Sequence, residues 1–424
     1  MPVFDHPNET VFTWAAPPIK FGLGATSEIG FDLANLGVQR AAVVTDPGLA
    51  ATGLPGRVAD LIKAAGIEAV VFDGVHVEPT DVSMNEAGAW ARSHDVDGFV
   101  AVGGGSSIDT AKAMNLFATN EGEVIDYLNK PIGNALAPRN PLRPLIAVPT
   151  TAGTGSESTP VCVLDVLGLK VKTGISHPRL RPTMAVVDPL NTVSLPQNVT
   201  AATGMDVLCH ALESFTARPF DSRPRYASPD KRVAYNGGNP ISDLWSAHAL
   251  ELLGRWFRRA VHSPFDLQAR EGMLLAAMYA GIGFGNAGVH IPHACAYPIA
   301  GMVRDYHPAE YPSHEAMVPH GISVVLTAPA AFRFTYPALP ERHVEAARLL
   351  GSEGVGVEAL PNAIIALCKD VGIPSGLEAV GYGAEDVPGL VDGALKQQRL
   401  LAVAPRDVTA EELATIFDAS MRNW

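Results

Sequence analysis

In the stretch GMDVLCHALE, Gly204 to Glu213, an aspartate and a histidine stand four residues apart inside an otherwise apolar run. Helical geometry puts Asp206 and His210 on one face, roughly 6 Å apart along the axis. The two side chains can then grip one object together. A divalent metal is one such object, and a hydrogen bond or ion pair along a helix surface has the same spacing. Further imidazoles follow, His290 and His293 in GNAGVHIPHACAYPIAG and His320 in MVPHGISVVL. Neutral imidazole is the commonest biological ligand for zinc and iron, and a buried carboxylate needs a compensating charge. A carboxylate joined by three histidines makes a metal site the favoured reading. Taken singly, each histidine fits a satisfied core or surface group, which is the expectation for His307 and His314.

A second kind of chemistry is written in glycine. DGFVAVGGGSSIDTAK ends a strand in three glycines, including Gly104 and Gly105, and starts a helix directly after them. Glycine lets the backbone turn sharply and approach a phosphate, and the free N–H groups of a helix start favour negative charge. The spacing is neither GxGxxG nor a Walker loop, and a tight turn that binds nothing has the same composition. VPTTAGTGSE, leaving the next strand, adds the hydroxyls of Thr150, Thr151, Thr154 and Ser156. Two such loops at the carboxyl ends of neighbouring strands are where an open α/β sheet binds its ligand. Asp46, closing the strand AAVVTD, can accept from ribose hydroxyls and would repel a 2′-phosphate, which favours NAD over NADP; a plain turn residue is the alternative.

These residues need elements to hold them. From Arg40 to Pro189 apolar strands alternate with helices (AAVVTD, RVADLIKAAG, EAVVFDGV, MNEAGAWARSH, DGFVAVGGG, SIDTAKAMNLFA, PLIAVPT, MAVVDP), the pattern of a doubly wound parallel sheet covered on both faces. After Pro189 long helical patterns take over. The expected organisation is an α/β dinucleotide-binding domain at 1–192 and an all-α metal-binding and substrate domain at 193–424, in keeping with a chain of 424 residues. The segment ARPFDSRPRYASPDKRVAYNGGNP reads as a long ordered loop.

A formal charge of −13 opposes any general attraction to nucleic acid or an anionic membrane. Four cysteines without CxxC spacing suit a reducing compartment. The start MPVFDHPNETVFTW has neither a basic segment nor a continuous apolar one, and no run of 18 apolar residues occurs. A cytoplasmic location is therefore expected, with small-molecule substrates and a second copy of the chain, as a homodimer, for partners.

Together GGGSSIDTAK, PTTAGTGSE, KVKTGI with the later VDP, GMDVLCHALE and PHG resemble the iron-containing, group III alcohol dehydrogenase family, from about Lys20 to near the C-terminus. More narrowly, GFGNAGVHIPHACAYPI, VPHGISVVLTAPA and YNGGNPISDLW look like its hydroxyacid-oxoacid transhydrogenase branch. The resemblance implies a dehydroquinate-synthase-like fold, NAD, and a divalent metal, Fe(II) or else Zn(II), in a cleft between two domains. Its motifs assign metal ligation to Asp206, His210, His293 and His320. They assign cofactor contacts to Asp46, Gly104, Gly105, Ser106, Asp109, Thr150, Thr151, Thr154 and Lys172.

Much of the family reads HAMAHP where this chain reads HACAYP, so Tyr297 replaces a histidine near the substrate. Two candidates for the proton route follow, Tyr297 and His290, and His290 is also an alternative to His293 as a ligand. The activity implied is hydride transfer between a hydroxyacid such as 4-hydroxybutyrate and an oxoacid such as 2-oxoglutarate through bound NAD. The alternative is an NAD-dependent dehydrogenase of small primary alcohols and aldehydes. An anionic substrate needs a cation, and Arg223, Arg225, Lys231, Arg232 and Arg304 are candidates.

Overall fold

Short runs rich in valine, isoleucine and alanine fit a pleated surface buried on both sides, and they form the strands. The computed structural model describes residues 6–169, 171–311 and 316–424, which leaves His314 outside the described residues. The strands are β1 (Ile19–Phe21), β2 (Arg40–Val44), β3 (Glu68–Phe72), β4 (Gly98–Gly103), β5 (Leu145–Pro149), β6 (Val161–Val166), β7 (Val171–Ser176) and β8 (Met184–Val187). Six of them make a parallel sheet in the order β1-β8-β5-β4-β2-β3.

Alternation sorts the strand side chains onto two faces. Ala41, Val43, Val100, Val102, Ile146 and Val148 pack against the helices Ile29–Asn35 and Leu54–Ala64. Their neighbours Ala42, Val44, Phe99, Ala101, Leu145 and Ala147 pack against Asp81–Ser93 and Gly105–Thr119. The sheet is doubly wound, as the β-α alternation predicts. From β2 the chain steps outward to β3, then returns to place β4 on the other side of β2. That reversal makes a switch point between β2 and β4, where the loops at the strand ends diverge and leave a crevice.

Two features were not legible in the apolar runs. β1 has only three residues, and β6 and β7 form an antiparallel hairpin with Asp165 opposite Lys172. Polar residues within the hairpin strands, and a connection without a two-residue turn signal, hid them.

The chain divides into two units. The α/β unit comprises Ala16–Pro196 with Ser263–Leu274; the other holds the chain up to Ala15, Gln197–His262 and Leu275–Trp424. The contiguous split expected at 192/193 differs from this in three places: the start of the chain, the boundary at Pro196, and Ser263–Leu274. Asn286 bonds the main chain of Ala15 in both directions, at 3.0 and 2.9 Å, and ties the start of the chain to the second unit. Arg270 donates to the carbonyls of Pro264 and Leu195 within the first. The second unit is helical, with isolated bridges (Asn8 to Pro224, Pro219 to Gly238) as its strand pairing among the described residues. The loop after Phe215 is ordered around two short 3₁₀ turns. Among the described residues no single helix is long and apolar enough to cross a membrane.

Candidate active site

Three helices of the second unit carry the acid and the imidazoles: Gln197–Phe215 bears Asp206 and His210, Ile291–Gly301 bears His293, and His320–Val325 begins at His320. Gly321 explains how the third reaches the first. A Cβ there would lie 1.9 Å from the carbonyl oxygen of Ala202, so only glycine allows His320 this close to the Asp206 helix.

The imidazoles converge on one oxygen. From Asp206 Oδ1 the Nε2 atoms of His210, His293 and His320 stand at 3.4, 3.6 and 3.8 Å. Asp206, His293 and His320 each offer a ligand atom within 4.8 Å of the others. His210 is held against them by stacking on Phe284 (3.9 Å, 8°) and on His293 (4.7 Å, 20°). Asp206 Oδ1 and His293 Nε2 are both buried and have no hydrogen-bond partner. Bonds of about 2.0–2.2 Å to a tetrahedral cation put ligand atoms about 3.3–3.6 Å apart. Donor type, unmatched atoms and separation fit a divalent metal for Asp206, His293 and His320, while His210 lies beside Asp206 but outside the set whose ligand atoms are all within 4.8 Å of one another.

Behind His293 stands Glu213, which is fully buried. Its carboxylate accepts from His293 Nδ1 at 2.6 Å, from the His293 main-chain N–H at 3.0 Å and from that of His290 at 2.9 Å. The bond to Nδ1 fixes the tautomer and leaves the Nε2 lone pair facing the cluster. Sequence reading gave Glu213 no role. The signal was present, since positions 206, 210 and 213 follow the i, i+4, i+7 repeat of one helix face.

Charge points the same way. Burial disfavours the ionised forms, yet the His210, His320 and His293 imidazoles hold the Asp206 carboxyl far below the usual range. Burial likewise disfavours an imidazolium, but Glu213 and Asp206 raise His293 to about 9, whereas His210 is driven down to about 3 by burial. Two buried carboxylates thus call for positive charge at this spot.

His290 is not brought to the cluster. Thr216 spends its hydroxyl proton on Leu212 O at 2.7 Å, so His290 Nε2–H is the donor in the 3.1 Å bond to Thr216 Oγ1. Burial lowers its pKa to about 4, which keeps the ring neutral. Tyr297, one turn after His293, is buried with its ring 6.4 Å from that of His320. Cys209 is also buried, its thiol pushed well up by that burial, and it takes no part in the cluster. Of the cations considered for a substrate carboxylate, Arg232 is paired with Glu9, Arg304 with Asp386, and Arg223 donates to the carbonyls of Tyr235 and Ala402.

In the α/β unit the two glycine-rich loops lie against each other. A Cβ on Gly105 would meet Thr154 at 2.7 Å and one on Gly104 would meet Thr151 at 3.2 Å. The loops leave β4 and β5, and Thr150 N–H donates to Gly103 O at 3.1 Å. Asp46 follows β2 across the switch point, so it and the Gly103–Gly105 turn flank the crevice. Several predicted contacts already have protein partners. Asp46 Oδ1 caps the Pro47–Ala50 turn through Leu49 N–H at 2.9 Å. Ser106 Oγ accepts from Glu78 N–H at 3.2 Å. Asp109 accepts from Val163 N–H at 2.9 Å and from Ser156 Oγ, and it faces Lys112 Nζ at 3.4 Å. Lys172 is buried between Glu78 (2.6 Å) and Asp165 (2.9 Å). The two side chains the resemblance adds from outside the loops, Asp109 and Lys172, therefore lock the β6–β7 hairpin in place.

The sequence profile described as "Iron-containing alcohol dehydrogenase" matches residues 16–189, and that of "Fe-containing alcohol dehydrogenase family, C-terminal" matches 233–421. The chain belongs to the iron-containing alcohol dehydrogenase family. It is 46% identical over 420 residues, 97% of its length and 90% of the relative's, to the mouse protein named "Hydroxyacid-oxoacid transhydrogenase, mitochondrial"; the human protein of that name is 45% identical over 421 residues, with the same coverage of each chain. Among solved structures of the family, 1,3-propanediol oxidoreductase is 33% identical with a TM-score of 0.84, covering 97% of this chain and 100% of that one. Sulfoacetaldehyde reductase from Bifidobacterium kashiwanohense, in complex with NAD+, is 29% identical with a TM-score of 0.81, covering 97% and 99%.

These names overturn the cytoplasmic expectation, because the curated family relatives from mouse, rat, cattle and human are all called mitochondrial. Cysteine usage separates a reducing compartment from the secretory route and cannot separate one reducing compartment from another.

Proposed function

We propose that this chain is a metal-dependent oxidoreductase that moves hydride from a hydroxyacid, such as 4-hydroxybutyrate, to an oxoacid, such as 2-oxoglutarate, through NAD that stays bound. The observation that carries the reading is the convergence of three imidazole nitrogens on the unpartnered oxygen of Asp206. Asp206, His210, His293 and His320 would hold the ion, with Fe(II) favoured by the family and Zn(II) equally suited to one carboxylate and three imidazoles. When bound, such an ion supplies Lewis acidity that lowers the pKa of a hydroxyl from far above neutrality toward 7, and NAD supplies the hydride acceptor.

The chain's own residues do the rest. Asp206 and Glu213 offset the cation's charge, and Glu213 keeps the His293 lone pair aimed at it. Phe284 stacks on His210 and limits its rotation. Tyr297 is the better placed of the two proton-route candidates, because its ring stands 6.4 Å from that of His320. The turn at Gly103–Gly105 and the Thr150–Thr154 loop offer main-chain N–H groups to a pyrophosphate, and Asp46 keeps Oδ2 for a ribose while Oδ1 caps its helix. Support for NAD comes from these loops and from the NAD+ complex of the reductase relative.

The test is to mix metal-loaded protein with 4-hydroxybutyrate and 2-oxoglutarate, adding no nucleotide, and to assay succinate semialdehyde and 2-hydroxyglutarate. Both should accumulate in equal amounts. If neither forms, while NAD plus a primary alcohol raises absorbance at 340 nm, the chain is a dehydrogenase that exchanges its nucleotide freely.

A further inference from the structure

All six strands of the sheet run the same way, so the glycine-rich loops at their carboxyl ends leave the amino ends for something else. A cavity of about 220 Å³ opens there, beside Leu145, where β5 starts, and Thr183, just ahead of β8. A five-residue strand at about 3.3 Å per residue separates it from the nucleotide loops by roughly 16 Å. Its cationic lining is Arg143, Arg179 and Arg181, with Lys112 and Asn115 from the helix Gly105–Thr119. None of the described residues that line it carries a carboxylate.

That charge is written into the sequence. Residues 127–156 and 171–187 contain no aspartate or glutamate, in a chain whose net charge is −13. The guanidinium groups are also held in place. Arg179 Nη1 donates to the carbonyls of Pro138, Arg139 and Asn140 at 2.8, 3.0 and 3.2 Å, Arg143 Nη1 to Val96 O, and Arg181 Nε to Ser158 O at 3.0 Å. Asn115 clasps the main chain of Arg143 from both sides, donating to its carbonyl at 2.7 Å and accepting its N–H at 2.9 Å. Carbonyl acceptors orient a guanidinium without cancelling its charge. Arg143 and Arg179 each anchor through one nitrogen, and the planar fork carries further N–H groups. If Arg143 and Arg179 were staples alone, like charges would meet at one hollow whose described lining holds no carboxylate. The volume is enough for phosphate or a short dicarboxylate.

We propose that this cavity binds a small multivalent anion, a phosphate or a short dicarboxylate, in the forks of Arg143 and Arg179. The site is separate from the hydride-transfer centre and does not rest on that reading. Bidentate guanidinium contacts are the usual means of holding both oxyanion types.

The full chain, loaded with metal and saturated with NAD so that the nucleotide loops are filled, would be titrated calorimetrically with phosphate and, separately, with succinate. One or both should bind saturably, and whichever does names the class. Arg179→Gln should weaken that binding about tenfold or more, since one charge-assisted contact is worth that much. Arg143→Gln serves as the independent second variant, and Arg333→Gln, whose partner Glu358 is remote in sequence, should leave binding unchanged. Absence of saturable binding by either anion overturns the site, as does undiminished affinity in both cavity variants. Loss of binding once NAD is loaded also overturns it, because the anion would then have been reporting the nucleotide loops.

Discussion

The helical unit and the α/β unit both present charged side chains in buried positions, and they treat them in opposite ways. Around Asp206 the protein leaves Oδ1 and the Nε2 of His293 without a partner. Around the glycine-rich loops it matches the charged side chains, though the buried hydroxyls of Ser107, Thr110 and Ser158 stay unpartnered: Lys172 lies between two carboxylates, Asp109 accepts from Val163, and Lys112 donates to Ser156, Thr159 and Val161 O at 2.7, 3.1 and 2.6 Å. An unmatched buried polar atom is costly and marks a place awaiting a ligand; a matched one marks scaffold. The metal centre is therefore built from side chains, and the nucleotide site from main chain held in shape by side chains that touch each other.

Removing an awaiting group should hurt most. Asp206→Asn is expected to abolish retention of the metal through dialysis against a chelator, with turnover lost alongside; stoichiometric metal in this variant would break the contrast. In the satisfied region the cost should fall on folding. Lys112→Met leaves Asp109 as an uncompensated buried charge, and should lower stability by about 3–5 kcal/mol in urea denaturation while leaving the metal content of folded protein unchanged.

Glu157 sharpens the same point through pH. Burial pushes its carboxyl up to about 7 from an ordinary 4.5. Between those values the folded chain keeps a proton that the unfolded chain has lost, so stability falls as pH rises through the window and stays low above it. Glu157→Gln should therefore stabilise by up to ~3 kcal/mol at pH 8 and by little at pH 5, a difference that paired denaturation curves would register. An equal gain at both pH values would mean that the carboxyl is not the cause.

Glu213→Gln keeps the shape and removes the charge behind His293. Metal affinity should drop about 10–100-fold by chelator competition, with the fold intact. The smallest effect belongs to Asp46→Ala, which forfeits an N-cap worth ~1 kcal/mol in denaturation and should relax the preference for NAD over NADP.

Much of this was legible in advance, for identifiable reasons. The apolar runs ending at Val44, Gly103 and Pro149 announce a two-sided parallel sheet because burial on both faces removes polar residues from its strands. Asp206 and His210 stand out because a carboxylate inside a greasy helix is costly unless a cation meets it. Glu213 shares their helix face at i+7, but its partner is a histidine 80 positions away, so the repeat places it beside the pair without disclosing its task. Asp109 and Lys172 show a different limit. The resemblance assigns both to the cofactor, and their additional bonds to Val163, Glu78 and Asp165 come from distant parts of the chain that a local motif does not disclose.

The contact between Gly321 and Ala202 has a bearing on how such a protein can change. Main-chain atoms meet there, with no space for one additional methyl group. The pitch between the two helices is thus a fixed dimension that mutation cannot adjust in small steps. New substrates and altered metal preferences have to be found by exchanging the side chains around that rigid frame, which leaves evolution free with the lining and bound by the hinge-less join beneath it.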